Sequence, residues 1–194
     1  MSPNAAMARM VPEALKEALY PHLFPDPDDG DPLHTFAILD GAAIPDLLER
    51  LYGERPEFIC LYRGELQPDI AEVAPYLVRL EPEAPFTDWV LERGWGNHWG
   101  IFALARESLR AMRTHFRRFL MVKDEEGARL HFRYYDPRVL RVYLPTCDAE
   151  ETTALFGPVQ RYCLEAADPN VLLQYRHMDG QLMPRRVPLT AAMQ

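Results

Sequence analysis

Apolar residues in this chain recur at two alternating periods, and the alternation predicts the order of its elements. HTFAILD (34–40) is a short apolar strand ended by Gly41, and a helix follows around Pro45 to Leu51, where Pro45 is tolerable in the first turn. EFICLYR (57–63) and PYLVRL (75–80) are two further strands; PFTDWVLERG (85–94) is a helix stopped by Gly94, and HWGIFALA (98–105) is a fourth strand. The strongest helix runs from Glu107 to about Phe119, because Leu109, Met112, Phe116 and Phe119 recur at i, i+3, i+7 and i+10. FLMVKDEEGARLHFRYY then predicts a hairpin turning at Asp124–Gly127.

Asp136-Pro137 opens another helix through Arg138 to Tyr143: Asp accepts hydrogen bonds from first-turn N–H groups, and Pro fits the first helical position. A short acidic helix covers Asp148 to Phe156, broken by Gly157-Pro158. VQRYCLE (159–165) and VLLQYRH (171–177) flank Ala-Asp-Pro-Asn as a second hairpin, and the tail from Asp179 has no clear period. The fold class is therefore α/β or α+β, a mixed β-sheet packed with helices. An amphipathic helix, Ala8 to Tyr20, precedes it with Met10, Ala14, Leu15, Ala18 and Leu19 at helical spacing, and a C-terminal hairpin follows it. Three segments result: 1–33 as helix and acidic Pro-rich linker, 34–158 as the α/β domain, and 159–194 as a short extension.

Charge narrows the function classes. The 194 residues carry 29 acidic against 21 basic groups, a net of −8, which opposes a broad grip on nucleic acid or anionic lipid. Residues 1–33 hold two basic and six acidic groups, so half of that imbalance lies in the lead segment. No membrane span and no signal peptide are expected. The three cysteines, Cys60, Cys147 and Cys163, have neither disulfide-framework nor metal spacing, which fits a reducing cytoplasm.

Candidate chemistry is sparse. Ser2 and Ser108 are the only serines, and neither lies in a nucleophile elbow; Ser108 suits a helix cap. Cys60 and Cys163 lie in apolar strands where burial raises the thiol pKa, and Cys147 is the most exposed of the three. Gly94, Gly96 and Gly100 miss the dinucleotide spacing and precede a strand, and no P-loop is present. The strongest enzyme-like alternative is a small metal-dependent hydrolase using His131, Asp136 and His34 or His98, with Asp40 as a further ligand. A purely structural or oligomerising subunit is a third class.

Two clusters suit protein binding instead. Arg106, Arg110, Arg113 and Arg117 recur at four, three and four residues, forming a basic stripe that is either a solvated face or a docking surface for an acidic segment. The run His131-Phe132-Arg133-Tyr134-Tyr135-Asp136-Pro137-Arg138-Val139-Leu140 is the densest in functional side chains. Its plain reading is an Arg133–Asp136 or Arg138–Asp136 ion pair fixing a strand-to-helix corner; the alternative is an exposed contact surface. The acidic linker before His34 is a candidate to lie across the basic helix face.

Phe132–Leu140 resembles the Arg-aromatic-Tyr-Asp-Pro-Arg signature of the type VI secretion effector chaperones, an adaptor family once known only as a domain of unknown function. Other fragments fall in the family's order: Ala37-Ile38-Leu39-Asp40-Gly41, Ala74-Pro75-Tyr76-Leu77-Val78, Trp99-Gly100-Ile101, His115-Phe116-Arg117-Arg118-Phe119-Leu120 and Leu155-Phe156-Gly157-Pro158. The resemblance spans roughly 34–158 and implies a cytoplasmic, non-enzymatic protein without a cofactor. It implies two protein partners, a secreted toxin effector and a spike-tip protein of the VgrG or PAAR type. As the partner-binding residues we expect Arg133, Tyr135, Asp136 and Arg138 at the signature and Arg106, Arg110, Arg113 and Arg117 on the helix.

Overall fold

The computed structural model describes residues 11–26, 32–123 and 126–189. The first predicted strand, β1 (His34–Asp40), is buried from Thr35 to Asp40, which requires cover on both of its faces. Alternation provides the two faces: Phe36 and Ile38 enter one apolar core, Ala37 and Leu39 the other. Its neighbours are β3 (Pro75–Leu80) and β4 (Gly100–Ala105), both antiparallel to it. The complete sheet, in the order β2-β3-β1-β4-β7-β8-β9, adds β2 (Phe58–Cys60), β7 (Val159–Glu165), β8 (Val171–Met178) and β9 (Gln181–Pro188). Every pairing in it is antiparallel, so of the two expected classes the arrangement is α+β.

Helices cover both sides. On the Ala37 face lie α1 (Glu13–Leu23), α2 (Leu47–Glu54) and α4 (Pro85–Gly94), which contribute Leu19, Leu51 and Val90. On the Phe36 face lie α5 (Leu109–Phe116), α6 (Pro137–Tyr143) and α7 (Ala149–Phe156), which contribute Met112, Phe116, Leu140 and Leu155. The remaining helix, α3 (Pro68–Val73), buries no residue. A separate ribbon pairs β5 (Met121–Lys123) with β6 (Arg129–His131).

Caps set several helix starts as expected from sequence. Ser108 Oγ accepts the Ala111 N–H at 3.3 Å, Asp136 Oδ1 accepts the Arg138 N–H at 2.9 Å, and Asp148 with Glu151 forms a reciprocal capping box. The lead segment is tied down by side chains: Lys16 Nζ meets Glu92 at 2.9 Å, and the Tyr20 hydroxyl donates to Asp88 at 2.6 Å. Residues 8–10 of the expected first helix, residues 27–31 of the acidic linker and residues 124–125 of the hairpin turn lie outside the described residues.

Several boundaries move, among them β2, which covers Phe58–Cys60 of the expected 57–63, and α2, which runs Leu47–Glu54; three of the shifts have a clear physical reason. The long helix leaves α geometry at Phe116 and ends as a 3-10 turn over Arg117–Phe119, which leaves Phe119 only partly buried. The hairpin strand stops at His131 rather than Tyr135, because Tyr134 and Tyr135 are both buried, at 1% and 2% exposure. Consecutive residues of a ribbon with one solvated face cannot both be inside. The tail without a period is β9, an eight-residue strand held by β8 through the turn Asp179-Gly180, both at positive φ as a type I′ turn requires.

Candidate functional site

The six fragments that carry the family resemblance meet one another in the fold. Asp40, at the end of β1, is 1% exposed; it accepts the Arg133 guanidinium at Oδ2 and the Ala42 N–H at 3.1 Å at Oδ1. Its own N–H donates to the Trp99 carbonyl at 2.8 Å, and the Gly41 N–H donates to the Ala74 carbonyl at 3.1 Å. A Cβ on Gly41 would overlap the Ala74 carbonyl oxygen, and one on Gly100 would overlap that of Ile38. Glycine at these two positions lets neighbouring backbone approach closely. The Tyr134 hydroxyl donates to the Phe116 carbonyl at 3.0 Å, tying the signature to the end of α5. His115, buried on α5, donates from Nε2 to the Leu155 carbonyl at 2.9 Å and packs its ring against Gly157.

The signature run therefore forms a packed corner. Arg138 chelates Asp136 through Nε at 3.0 Å and Nη2 at 2.7 Å, the second of the two expected ion pairs. Arg133 turns away from Asp136 to Asp40, 93 positions earlier in the chain. Burial pushes the Asp136 carboxyl up, but the Arg138 side chain, the Arg138 N–H and the charges of Arg138 and Arg133 outweigh it and hold the group below its ordinary range. Burial, reinforced by the Asp40 charge, raises the Tyr135 hydroxyl well above its ordinary range, so it stays protonated. Of the four signature residues expected to touch a partner, Tyr135 and Asp136 lie inside, while the side chains of Arg133 and Arg138 are 44% and 53% exposed.

The helix arginines divide in the same way. Arg106 and Arg110 are exposed, with Arg106 engaged in an interaction of its own. Arg113 reaches back to β2, donating from Nε to the Cys60 carbonyl at 2.9 Å and from Nη2 to the Tyr62 carbonyl at 3.2 Å. Arg117 is partly buried, with Nη2 shut from solvent and without a hydrogen-bond partner among the described residues.

The residues of the hydrolase alternative go to separate partners. His34 Nδ1 faces Arg79 Nη2 at 3.1 Å, His98 pairs with buried Glu165, and His131 Nε2 meets the Tyr62 hydroxyl at 2.8 Å. Asp136 is held by Arg138. Among the described residues no group of three or more His, Cys, Asp or Glu side chains is placed to hold a metal ion, so the expected convergence of His131, Asp136 and His34 or His98 does not occur. Burial raises all three thiols, Cys163 to about 12, which disfavours the thiolate a nucleophile needs. The His98–Glu165 pair is absent from the sequence reading, since nothing local marks Glu165 at the end of β7 as a partner for a turn 67 residues away.

The structure defines an antiparallel sheet between two helical layers, with the motif fragments joined to one another in its interior. The family model described as Domain of unknown function (DUF4123) matches residues 35–154, more than half of the chain, and the chain belongs to that family. The matched range lies within the span of the resemblance drawn from sequence, and the description assigns no role. No curated protein and no solved structure matches the chain. No helix among the described residues is long and apolar enough to cross a membrane.

Proposed function

We propose that this protein is an effector chaperone of type VI secretion: a cytoplasmic, non-enzymatic adaptor that holds a toxin effector and delivers it to a spike protein of the VgrG or PAAR type. The observation that carries this reading is the coincidence of the six ordered fragments with the family match, together with their mutual packing through Asp40–Arg133, Tyr134–Phe116 and His115–Leu155.

The sheet edges favour one docking mode over another. In the β8–β9 hairpin the two-residue turn makes Met178 and Gln181 a hydrogen-bonded pair, so alternation turns Leu182, Pro184, Arg186 and Pro188 outward along the free edge. Two of those four positions lack an N–H, which discourages addition of a cargo strand. At the opposite edge Glu57 and Leu61 bond to β3, so Cys60 faces outward, and Arg113 occupies its carbonyl. Cargo is therefore taken on side chains of the α5–α6 layer and its ribbon, where Met121, Val122, Leu130 and Val142 are exposed apolar residues.

The test is capture of the tagged protein from its native cytosol at moderate salt, with mass spectrometry of the co-purifying protein and metal analysis of the same sample. One large toxin-like protein near 1:1 supports the proposal. A bait that comes down alone with stoichiometric metal contradicts it.

A further inference from the structure

Charge is divided between the two helical layers. Between Arg106 and Arg141 the chain has ten basic and five acidic residues, although its net charge is −8. On the opposite layer two of the cations are neutralised: Lys16 lies within 4 Å of Glu13, Asp88 and Glu92, and Arg50 bonds Glu54 at 2.7 Å. At the C-terminal end of α5 the neighbours are cationic instead. Burial and then the charges of Arg113 and Arg63 push the Arg117 guanidinium below its ordinary value, and among the described residues Cys60, not a carboxylate, opposes them. Arg117 Nη2 is buried without an acceptor among the described residues, an arrangement that costs free energy.

This cationic cluster adjoins apolar surface. The Tyr62 carbonyl is held by Arg113, and the Tyr62 hydroxyl meets His131 of β6, so the loop carrying Arg63 is bound to both α5 and the ribbon. Met121 stands directly across from His131 and is 49% exposed. A ligand that fits supplies carboxylates to the arginines and an apolar side chain to Met121.

We infer that Arg63, Arg113 and Arg117, with Met121 beside them, form the docking site for an acidic segment of the cargo protein, one whose carboxylates alternate with apolar residues. The inference rests on the chaperone reading for the identity of the cargo and on the cluster alone for the chemistry. Planar guanidinium groups suit carboxylates through paired N–H donors. The net negative charge of the rest of the chain steers such a segment toward this layer.

The experiment uses the full chain and a fluorescein-labelled peptide of alternating Glu and Leu, read by anisotropy at low and at 0.5 M salt, the latter being about the range where exposed charge pairs are screened. The double variant Arg63→Gln/Arg117→Gln weakens binding at least about tenfold, as does high salt, whereas Arg50→Gln on the acidic layer leaves it within about twofold. Arg117→Gln keeps or raises the melting temperature, since it removes an unsatisfied donor; Arg63→Gln, at an exposed loop position, serves alone if the double variant is unstable. Binding of the double variant within about twofold of the parent overturns the site, as does equal binding of a Gln-Leu peptide or tighter binding of a single-stranded RNA of equal charge. Repeating the native capture separates the two claims: cargo retained by the double variant removes this site and leaves the chaperone reading standing. An empty parent bait removes the chaperone reading, while the peptide result still decides the site.

Discussion

Gly157→Ala tests the packing that joins the α5 fragment to the closing turn. Gly157 follows α7 at φ 44° and ψ −113°, a combination that costs an L-residue about 1–3 kcal/mol. Its new methyl would also stand 2.7 Å from His115 Cε1 and 2.8 Å from Nδ1. The imidazole has little room to yield: it is 6% exposed, bonded to the Leu155 carbonyl and edged by Phe116 and Phe119 at 5.1 and 5.2 Å. Overpacking of this kind costs about 1–3 kcal/mol, so the substitution destabilises by about 2–6 kcal/mol in all. That lowers the melting temperature by roughly 4–24 °C for a chain of this size. Urea unfolding of the parent, both single variants and Gly157→Ala/His115→Ala gives the coupling. Without the ring, Gly157→Ala should cost only its backbone strain, leaving a coupling of about 1–3 kcal/mol between the two sites. A cost for Gly157→Ala below about 0.5 kcal/mol, or the same cost in both backgrounds, refutes the reasoning.

Other consequences are equally direct. Arg133→Met strands the Asp40 carboxylate, 1% exposed; because the Arg133 side chain is 44% exposed, the expected cost is about 1–3 kcal/mol in urea unfolding, with part recovered in Asp40→Asn/Arg133→Met. Asp136, held below its ordinary 3.8, contributes stability that is present above that value and lost as pH falls through its lower folded value; Asp136→Asn flattens the acid limb of the stability curve. Burial holds His115 below its ordinary 6.5, so the unfolded chain gains a proton the folded one refuses; stability falls as pH drops below 6.5, and His115→Phe reduces that slope. Pro184→Val/Pro188→Val restores two outward N–H groups on β9 and produces concentration-dependent association by sedimentation velocity; a variant that sediments like the parent refutes the edge argument.

Elements with local chemical signals were readable in advance. The strand at Pro75–Leu80 and the helix at Pro85–Gly94 fall on the predicted residues, and Ser108, Asp136 and Asp148 cap the helices they precede. Elements stabilised from outside were not. β9 exposes most of its residues and takes its conformation from pairing with β8, and α3 buries nothing that would impose a period. The site shows the same division. Asp136 and Arg138 are two positions apart and their ion pair was legible; Arg133 joins Asp40 across 93 positions, which no local pattern reveals. The basic stripe was visible as spacing, whereas the use of Arg113 to hold β2, and the approach of Arg63 to Arg117, depend on the tertiary fold.

An effector chaperone of the kind proposed keeps its cargo soluble and ready for export. Deletion of the gene for this chain, followed by quantitative proteomics of soluble, insoluble and secreted fractions with transcript levels held as a control, shows what becomes of the protein that co-purifies with it. That cargo is expected to leave the soluble and secreted fractions while its transcript is unchanged, and the intact chain supplied in trans to restore it. A cargo whose amount, solubility and export are all unaffected by the deletion overturns the proposal.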